Sequence, residues 1–489
     1  MVKRTRLRAL AAVVAAALFS AACSTITDGR GTPAGTSSPA AGNGSSSPGG
    51  TSGPSASGPT GPASASCPAS YVQPDPDRPR ITLTFHIAAD HKTVTGTEKV
   101  VFTPDADITE LVFRLTANAV PTYATGTRIR VTSATSDHNG GAPGYEQAGA
   151  DPASQGGLLR MPVGNVKAGT TLSANLTFAL TIGASSFDRF GRSGTFVWFA
   201  TAQPLLAWER GYGWHTEPMI QFIAESATSE AADTDLTVTA PGSDTILAPG
   251  RPEDPRSSTG GRKTWHSTIS AARDVSVAAG PFVLRDADVG GVKVRVGAPP
   301  GSGADKVMAD EKFAIGQLTK RLGPFPFPTL SVALLPATGG GIEYPSSILL
   351  LGSQRVVTVH ETAHQWFYAM VGDSQAQHAW LDEAFASFAE QLVDGDPPPA
   401  DDVNVPGPVD NPTADYGADK DSYYLITYGK GAAALHAARA AARADKFDAA
   451  LRCYVNAGAW KIAEPKDFAA ALANLPAALA VLRRAGALT

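Results

Sequence analysis

The segment VHETAHQWFYAMVGDSQAQHAWLDEAFASFAE, residues 359–390, constrains the fold of this chain more than any other. It carries two histidines four residues apart, His360 and His364, and a glutamate, Glu383, after eighteen further residues. On a helix of 3.6 residues per turn, side chains four apart project from one face. The apolar, alanine-rich run around Glu383 predicts a second helix. If the two helices pack against each other, the three side chains meet.

Two neutral imidazoles and one carboxylate form a ligand set typical of a catalytic zinc site, because they leave a fourth position open. The pattern predicts one zinc ion per chain, bound by His360, His364 and Glu383. Glu361 lies beside them on the adjacent part of the same helix face, where its carboxylate can reach a water molecule without being a ligand. The spacing therefore favours a zinc site over two helices that only carry charge.

Eighteen residues between the second histidine and the glutamate is the spacing of the gluzincin zinc peptidases. The surrounding residues resemble the aminopeptidase N family, peptidase family M1, whose zinc segment typically reads HExxHQWFG and WLNEGFASY. GGGIEYP at residues 339–345 is similar to the family's GxMEN exopeptidase motif, and YGKGAAALHAA, which starts at Tyr428, resembles its Tyr-x-Lys-Gly segment. The motifs follow the order of the family along the chain.

The resemblance implies a role for each motif residue. Glu361 is expected to act as general base, because zinc lowers the pKa of water toward neutrality and a nearby carboxylate can take its proton. Tyr428 is expected to donate its phenol to the oxyanion of the tetrahedral intermediate. Glu343 is expected to bind the free α-amino group of a peptide substrate. Gly340 and Gly341 lack side chains and are expected to let the substrate backbone approach as an extra strand.

Some positions depart from the family pattern. Tyr344 stands where the family has asparagine, which leaves open a dipeptidase or endopeptidase with the same zinc site. A non-catalytic envelope binding protein on the same scaffold is a third alternative, although it gives no reason to keep a general base. Glu390, seven residues after Glu383 and so on the same helix face, is expected to hold a ligand imidazole from behind, or else to be an exposed carboxylate.

The N-terminus is typical of an exported protein. Residues 1–23 combine a basic start, a short apolar stretch and small residues before Cys23, which resembles the lipobox of a bacterial lipoprotein. Plain secretory cleavage after Ala22 is the alternative. Residues 24–68 are rich in Ser, Gly and Pro and predict a flexible tether. We therefore expect a lipid anchor at Cys23 that holds the protein on the outer side of the cell membrane.

The pattern of secondary structure that the sequence predicts changes once along the remaining chain. Residues 69–285 contain short β-branched runs such as ITLTFHI and TLSANLTFALTI, whereas the chain beyond residue 355 is mostly helical in pattern. We predict an α+β protein: an N-terminal antiparallel β saddle or sandwich domain over residues 69–285, then a thermolysin-like, mostly helical zinc peptidase domain over residues 286–489.

Charge and cysteine content add two expectations. Lys and Arg total 40 against 45 Asp and Glu, with a net charge of −5, so no basic surface for nucleic acid is expected. Peptides are the expected partners. In addition to Cys23, the chain has Cys67 and Cys453. These two cysteines either form one disulfide in an oxidising compartment or stay as two separate thiols.

Overall fold

The computed structural model describes residues 67–138, 140–186, 189–222 and 227–489. The predicted signal peptide, Cys23 and the tether up to residue 66 lie outside the described residues. In the part of the chain that is described, no helix combines the length and the apolar character needed to cross a membrane.

The first half of the described chain forms β-sheets. In its long strands buried and exposed residues alternate, as in RITLTFHI, where Leu83, Phe85 and Ile87 face the core. The strands are β1 Arg80–Ile87, β2 Thr93–Phe102, β3 Ile108–Arg114, β4 Arg128–Ser136, β5 Gly144–Glu146, β6 Leu158–Val166, β7 Leu172–Thr181, β8 Phe190–Ser193, β9 Phe196–Ala200, β10 Leu205–Leu206, β11 Trp208–Glu209, β12 Gly213–Trp214, β13 Ala232–Pro241, β14 Thr245–Leu247, β15 Arg251–Pro252, β16 Arg256–Ser258, β17 Arg262–Ala272 and β18 Ser276–Gly280.

These strands form a large sheet with smaller ones packed around a shared apolar core. The large sheet has the order β15-β17-β13-β1-β2-β7-β4, with β16 beside β17. Two four-stranded sheets have the orders β10-β3-β6-β5 and β14-β18-β9-β8, and β11 pairs with β12. The domain is antiparallel except where β1 runs parallel to β13. Three short helical segments interrupt its described residues: the 3₁₀ turn Thr116–Asn118, α1 Val120–Ala124 and the 3₁₀ turn Thr259–Gly261.

The second half begins with a mixed sheet of order β19-β20-β21-β23-β22. Its strands are β19 Val283–Val289, β20 Val292–Ala298, β21 Thr329–Leu334, β22 Gly341–Tyr344 and β23 Ser347–Leu350, and a separate pair joins β24 Gly372–Asp373 to β25 Ile462–Ala463. Strand β22 is antiparallel to β23 and forms the edge of the described sheet. An edge strand offers unpaired backbone groups on one side.

Helices fill the rest of this half and bury a second apolar core. They are α2 Ala304–Leu322, α3 Arg355–Ala363, α4 Gln375–His378, α5 Trp380–Asp394, α6 Lys420–Tyr423, α7 Gly431–Ala442, α8 Ala444–Gly458, α9 Pro465–Ala471 and α10 Pro476–Arg484. The 3₁₀ turns Ala400–Asn404 and Thr413–Tyr416 and a π-helical segment, Tyr424–Lys430, complete the set. The predicted α+β class, a β domain followed by a mostly helical domain, is confirmed. The predicted boundary after residue 285 falls inside β19.

A buried arginine joins the two halves. Arg273, between β17 and β18, donates hydrogen bonds to the carbonyl oxygen of Ser229 in its own half. It also donates to the carbonyl oxygens of Tyr368, Met370 and Lys461 in the helical half, over 2.5 to 3.3 Å. A Cβ atom at Gly372 would lie 2.3 Å from the guanidinium carbon, so only glycine fits there.

Candidate active site

The two histidines lie at the end of a buried helix. His360 lies in α3, and His364 follows its last residue in the right-handed helical conformation, so both rings share one face as predicted. Their ring centroids are 4.8 Å apart. Val359 and Ala363, on the adjacent face, are fully buried in the apolar core of the helical half. Packing of that face fixes the direction in which the imidazoles point.

Glu383, in the first turn of α5, completes the cluster. Its Oε2 atom lies 3.3 Å from His360 Nε2 and 3.4 Å from His364 Nε2. Ligand atoms at tetrahedral angles, each 2.0–2.1 Å from a zinc ion, are about 3.3–3.4 Å from one another. The two distances from Glu383 therefore match a tetrahedral zinc site, and one ligand atom of each of the three side chains lies within 4.8 Å of the others.

The charges around this cluster favour a cation. Burial lowers the pKa of His360, which keeps that ring neutral, as a metal ligand must be. At His364 burial acts in the same direction, but the carboxylates of Asp382, Glu343 and Glu383 outweigh it and raise the pKa of the ring. A group of carboxylates that stabilises a protonated imidazole also stabilises a metal ion in the same place.

Asp382, which the sequence reasoning did not single out, fixes the orientation of His364. The Nδ1–H group of His364 donates to Asp382 Oδ1 over 2.5 Å, since a carboxylate can only accept. Gln375 Nε2 donates to the other oxygen of Asp382 over 3.2 Å. This arrangement directs His364 Nε2 toward Glu383. The signal in the sequence was an acidic residue directly before the third ligand.

Glu390 does not hold an imidazole. Among the described residues it makes no hydrogen bond to His360 or His364, and the carboxylate bound to a ligand ring is that of Asp382. Glu390 is buried, and this burial, followed by the charges of Asp394 and Asp396, raises its pKa to about 8. Glu390 lies about two helical turns beyond Glu383 on α5, too far to reach either ring, so the expected contact with a ligand imidazole is wrong.

The general base expected at Glu361 lies directly beneath the edge strand β22. A Cβ atom at Gly341 would be 2.4 Å from Glu361 Cγ and 2.7 Å from its Oε1, closer than real Cβ contacts. Gly340, just before β22, accepts a hydrogen bond from the backbone N–H of Leu351. The missing side chain of Gly341 therefore lets the backbone of the sheet edge contact the Glu361 side chain, whereas the approach of a substrate strand to Gly340 and Gly341 stays a prediction.

Alternate residues of β22 face opposite sides of the sheet. Glu343 is buried on the same side as Gly341, with a carboxylate oxygen within 4.8 Å of ligand atoms of His364 and Asp382. Tyr344 points the other way into an apolar cluster, and its hydroxyl is 3.4 Å from Thr201 Oγ1. Tyr344, which replaces the family's asparagine, therefore packs into the core on the side of the sheet that faces away from the zinc ligands.

Gln365 ties the histidine segment to this strand. Its Nε2 donates to the carbonyl oxygen of Tyr344 over 3.0 Å, and its Oε1 accepts from the backbone N–H of Ser346 over 2.9 Å. Ser346 has a φ of 60°, an unusual conformation for a residue other than glycine. Because Gln365 follows His364 directly, the position of Glu343 is coupled to that of a ligand.

Tyr428 reaches the site from the π-helical segment Tyr424–Lys430. Its ring lies nearly parallel to that of His360, at an interplanar angle of 10° and a centroid distance of 5.9 Å. The π-helical turn adds a residue to the ordinary helical spacing, a feature often found at functional sites. Tyr424, the next candidate for the same role, has its ring 5.2 Å from that of Tyr428.

The comparison with known sequences agrees with this geometry. The model of the peptidase family M1 domain matches residues 351–482. Aminopeptidase M1 of Arabidopsis thaliana is 27% identical over 251 residues, which cover 42% of this chain and 28% of that protein. Endoplasmic reticulum aminopeptidase 1 of Homo sapiens is 25% identical over 186 residues, 31% of this chain and 20% of that protein. The chain thus matches less than a third of the length of these relatives.

Solved structures share the fold over a larger part of the chain. An M1 zinc metallopeptidase from Deinococcus radiodurans superposes with a TM-score of 0.59 at 19% identity, covering 83% of this chain and 92% of the other. A mutant of an M1 zinc metallopeptidase from the same organism, bound to a Tyr-Ser-Ala substrate, gives a TM-score of 0.60 at 19% identity, with 84% and 94% covered. The chain therefore has the two-domain fold of these M1 zinc metallopeptidase structures, and residues 351–482, which carry the zinc-ligand geometry, are similar to the peptidase family M1 domain.

Proposed function

We propose that this protein is a zinc-dependent aminopeptidase that releases N-terminal residues from peptides outside the cell membrane. The observation that carries the proposal is the contact between Glu361 and Gly341. This contact supports a general-base role for Glu361, because the side chain lies under a sheet edge where a peptide backbone can pair and is adjacent in sequence to His360. His360, His364 and Glu383 would hold the zinc ion, which would supply Lewis acidity toward the substrate carbonyl and lower the pKa of water.

The carboxylate of Glu361 takes a proton from the attacking water and passes it to the nitrogen of the leaving amine. Its burial supports this role, because a carboxylate shielded from solvent keeps the proton between the reacting groups. Asp382 keeps His364 in the tautomer whose Nε2 lone pair faces the metal position.

Tyr428 donates its phenolic hydrogen to the oxygen on which negative charge develops. The neutral phenol suits this role because it stabilises charge in the transition state without binding the ground state as an ion would. Its position beside the His360 ring supports the assignment.

Glu343 binds the free α-ammonium group of the substrate. Its position on the same side of β22 as Gly341 supports this, since one bound strand would then meet both the base and the ammonium partner. An ammonium group held there fixes the distance from the N-terminus to the scissile bond, so one residue is released at a time.

The test compares a peptide that has a free N-terminus with its acetylated twin. We expect the free peptide to be hydrolysed faster by orders of magnitude, because acetylation removes the charge that Glu343 pairs with. Glu343→Gln keeps the side-chain size, removes the charge and should erase most of the preference by slowing the free peptide. Equal cleavage of both peptides identifies an endopeptidase instead. No cleavage of either by the zinc-loaded protein supports the alternative of a non-catalytic binding protein.

The place of action is part of the same proposal. The leader-like residues 1–23 and the tether support export and lipid attachment at Cys23. In a bacterial host we expect the full chain in the membrane fraction and Cys23→Ser in the soluble envelope or medium. Soluble protein from the unmodified chain contradicts the anchor and leaves the hydrolysis untouched.

A further inference from the structure

The chain crosses the surface of the helical half before it enters the β domain. We call residues 67–72 the N-terminal strap. The backbone N–H of Val72 donates to the carbonyl oxygen of Asn456 over 3.0 Å, and Asn456 Nδ2 donates to the carbonyl oxygen of Pro68 over 2.8 Å. Asn456 lies in α8, so one residue of that helix holds the strap at two points.

Tyr71 holds the strap from the other side. Its hydroxyl donates to the carbonyl oxygen of Pro324 over 2.5 Å and accepts from Trp366 Nε1 over 3.1 Å. Trp366 is fully buried and lies two residues after His364. The path of the strap is therefore fixed by contacts with three separate segments of the helical half.

This path brings two cysteines together. Cys453 lies three residues before Asn456, on the same face of α8, and Cys67 directly precedes Pro68, to which Asn456 is bonded. Burial, and then the neighbouring side chain of Cys67, raise the pKa of the Cys453 thiol to about 12. Cys67 is exposed, and Cys453 is half-buried. An oxidant can therefore reach the pair from solvent.

We propose that Cys67 and Cys453 form a disulfide that fastens the N-terminal strap to helix α8. The hydrogen bonds of the strap already hold Cys67 beside Cys453, so bond formation does not need to bring distant segments together. This inference is independent of peptide hydrolysis, because among the described residues neither cysteine belongs to the group of side chains that could hold the metal ion.

The bond forms by thiol–disulfide exchange with a donor disulfide, either a small molecule or a protein. The exposed Cys67, as its thiolate, attacks one sulfur of the donor and releases the other as a thiol. Cys453, after losing its proton, attacks Cys67 Sγ and releases the second donor thiol. The two cysteines lose two electrons and two protons, and the donor disulfide gains them.

The bond has two physical consequences. It closes a loop that contains almost the whole described chain, which restricts the unfolded state most strongly for long loops. It also fixes Cys67, near the end of the tether, to the helical half. The tether is then attached to the domain that carries the zinc ligands.

The experiment maps the cysteines in the full chain after incubation with oxidised glutathione. Free thiols are blocked with N-ethylmaleimide, the protein is digested without reductant, and the peptides are identified by mass spectrometry. We expect a linked peptide pair that contains Cys67 and Cys453, two hydrogens lighter than the sum, and lost after dithiothreitol. Recovery of both cysteines as maleimide or glutathione adducts overturns the proposal, as does a link between either of them and Cys23.

Thermal unfolding provides a second readout. Cys67→Ser and Cys453→Ser should each lower the Tm of the oxidised protein by about 4 °C, to the value of the reduced unmodified chain. The double variant should fall no further. Cys23→Ser is the matched control and should keep both the linked peptide and the Tm. Unequal losses in the two single variants, or a further loss under reductant, contradict a shared bond.

Discussion

Gly341 lies so close to Glu361 that a single added methyl group would overlap the glutamate side chain, at 2.4 Å from its Cγ. The contact joins the sheet edge to the expected general base. It also means that the position of the Glu361 carboxylate depends on a residue that carries no reactive group.

Gly341→Ala should therefore displace Glu361 and lower turnover by roughly a hundredfold, because small misplacements of a reacting group are costly. Zinc content should stay near that of the unmodified protein, since the ligands lie on other elements. The matched control is Gly316→Ala in α2, where a Cβ atom meets nothing within 4 Å. Unchanged turnover in Gly341→Ala shows that Glu361 can move without loss.

Metal binding and chemistry should separate by mutation. Glu361→Gln should keep about one zinc ion per chain and lose turnover by roughly a thousandfold, because the base is removed and the ligands remain. His360→Ala and Glu383→Ala should lose the metal as well. Zinc is measured by atomic absorption after gel filtration. If Glu361→Gln loses its zinc, the assignment of Glu361 as a general base that does not bind the metal is wrong.

Tyr428→Phe deletes the hydroxyl and keeps the ring beside His360. We expect turnover to fall by roughly a hundredfold with zinc still bound, because a donor to the developing charge is removed. Tyr424→Phe, which changes a neighbouring ring in the same way, should have little effect. A large loss of turnover in Tyr424→Phe, with little loss in Tyr428→Phe, would assign the oxyanion role to Tyr424.

Asp382 should affect metal affinity through His364. Asp382→Ala removes the acceptor of the Nδ1–H hydrogen bond and should weaken zinc binding by about 10- to 100-fold in competition with a chelator. Asp382→Asn keeps an acceptor oxygen and should bind zinc more tightly than the alanine variant. Equal losses in both variants show that the negative charge matters more than the orientation of the ring.

The ligand cluster could be predicted from the sequence because its spacing has few structural solutions. Two histidines one helical turn apart and a glutamate on the next apolar helix leave little freedom once both helices bury their apolar faces. The contact of Gly341 with Glu361, by contrast, was not predicted, because the sequence does not show which side chain lies beneath the glycine. The order of domains followed from the β-branched runs of residues 69–285 and the helical pattern beyond residue 355.

Other features depend on contacts that spacing does not encode. Glu390 shares a helix face with Glu383 but lies too far along α5, whereas Asp382, on a neighbouring face, turns toward His364. In the sequence, Asp382 looks the same as an exposed acidic residue next to Glu383. Its role becomes visible only when the position of the His364 ring is known. The parallel pairing of β1 with β13 joins residues about 150 apart, and local β patterns do not contain such partners.

The hydrogen bonds of Arg273 limit how the two domains can move. Rotation of one domain away from the other would leave at least three carbonyl oxygens without their donor, at about 1–3 kcal/mol each, and would uncover a buried guanidinium. Hinge opening of the kind that admits ligands between separable lobes is therefore too costly here. Under the proposed function, access of a peptide to the zinc ligands would then not depend on separation of the two domains.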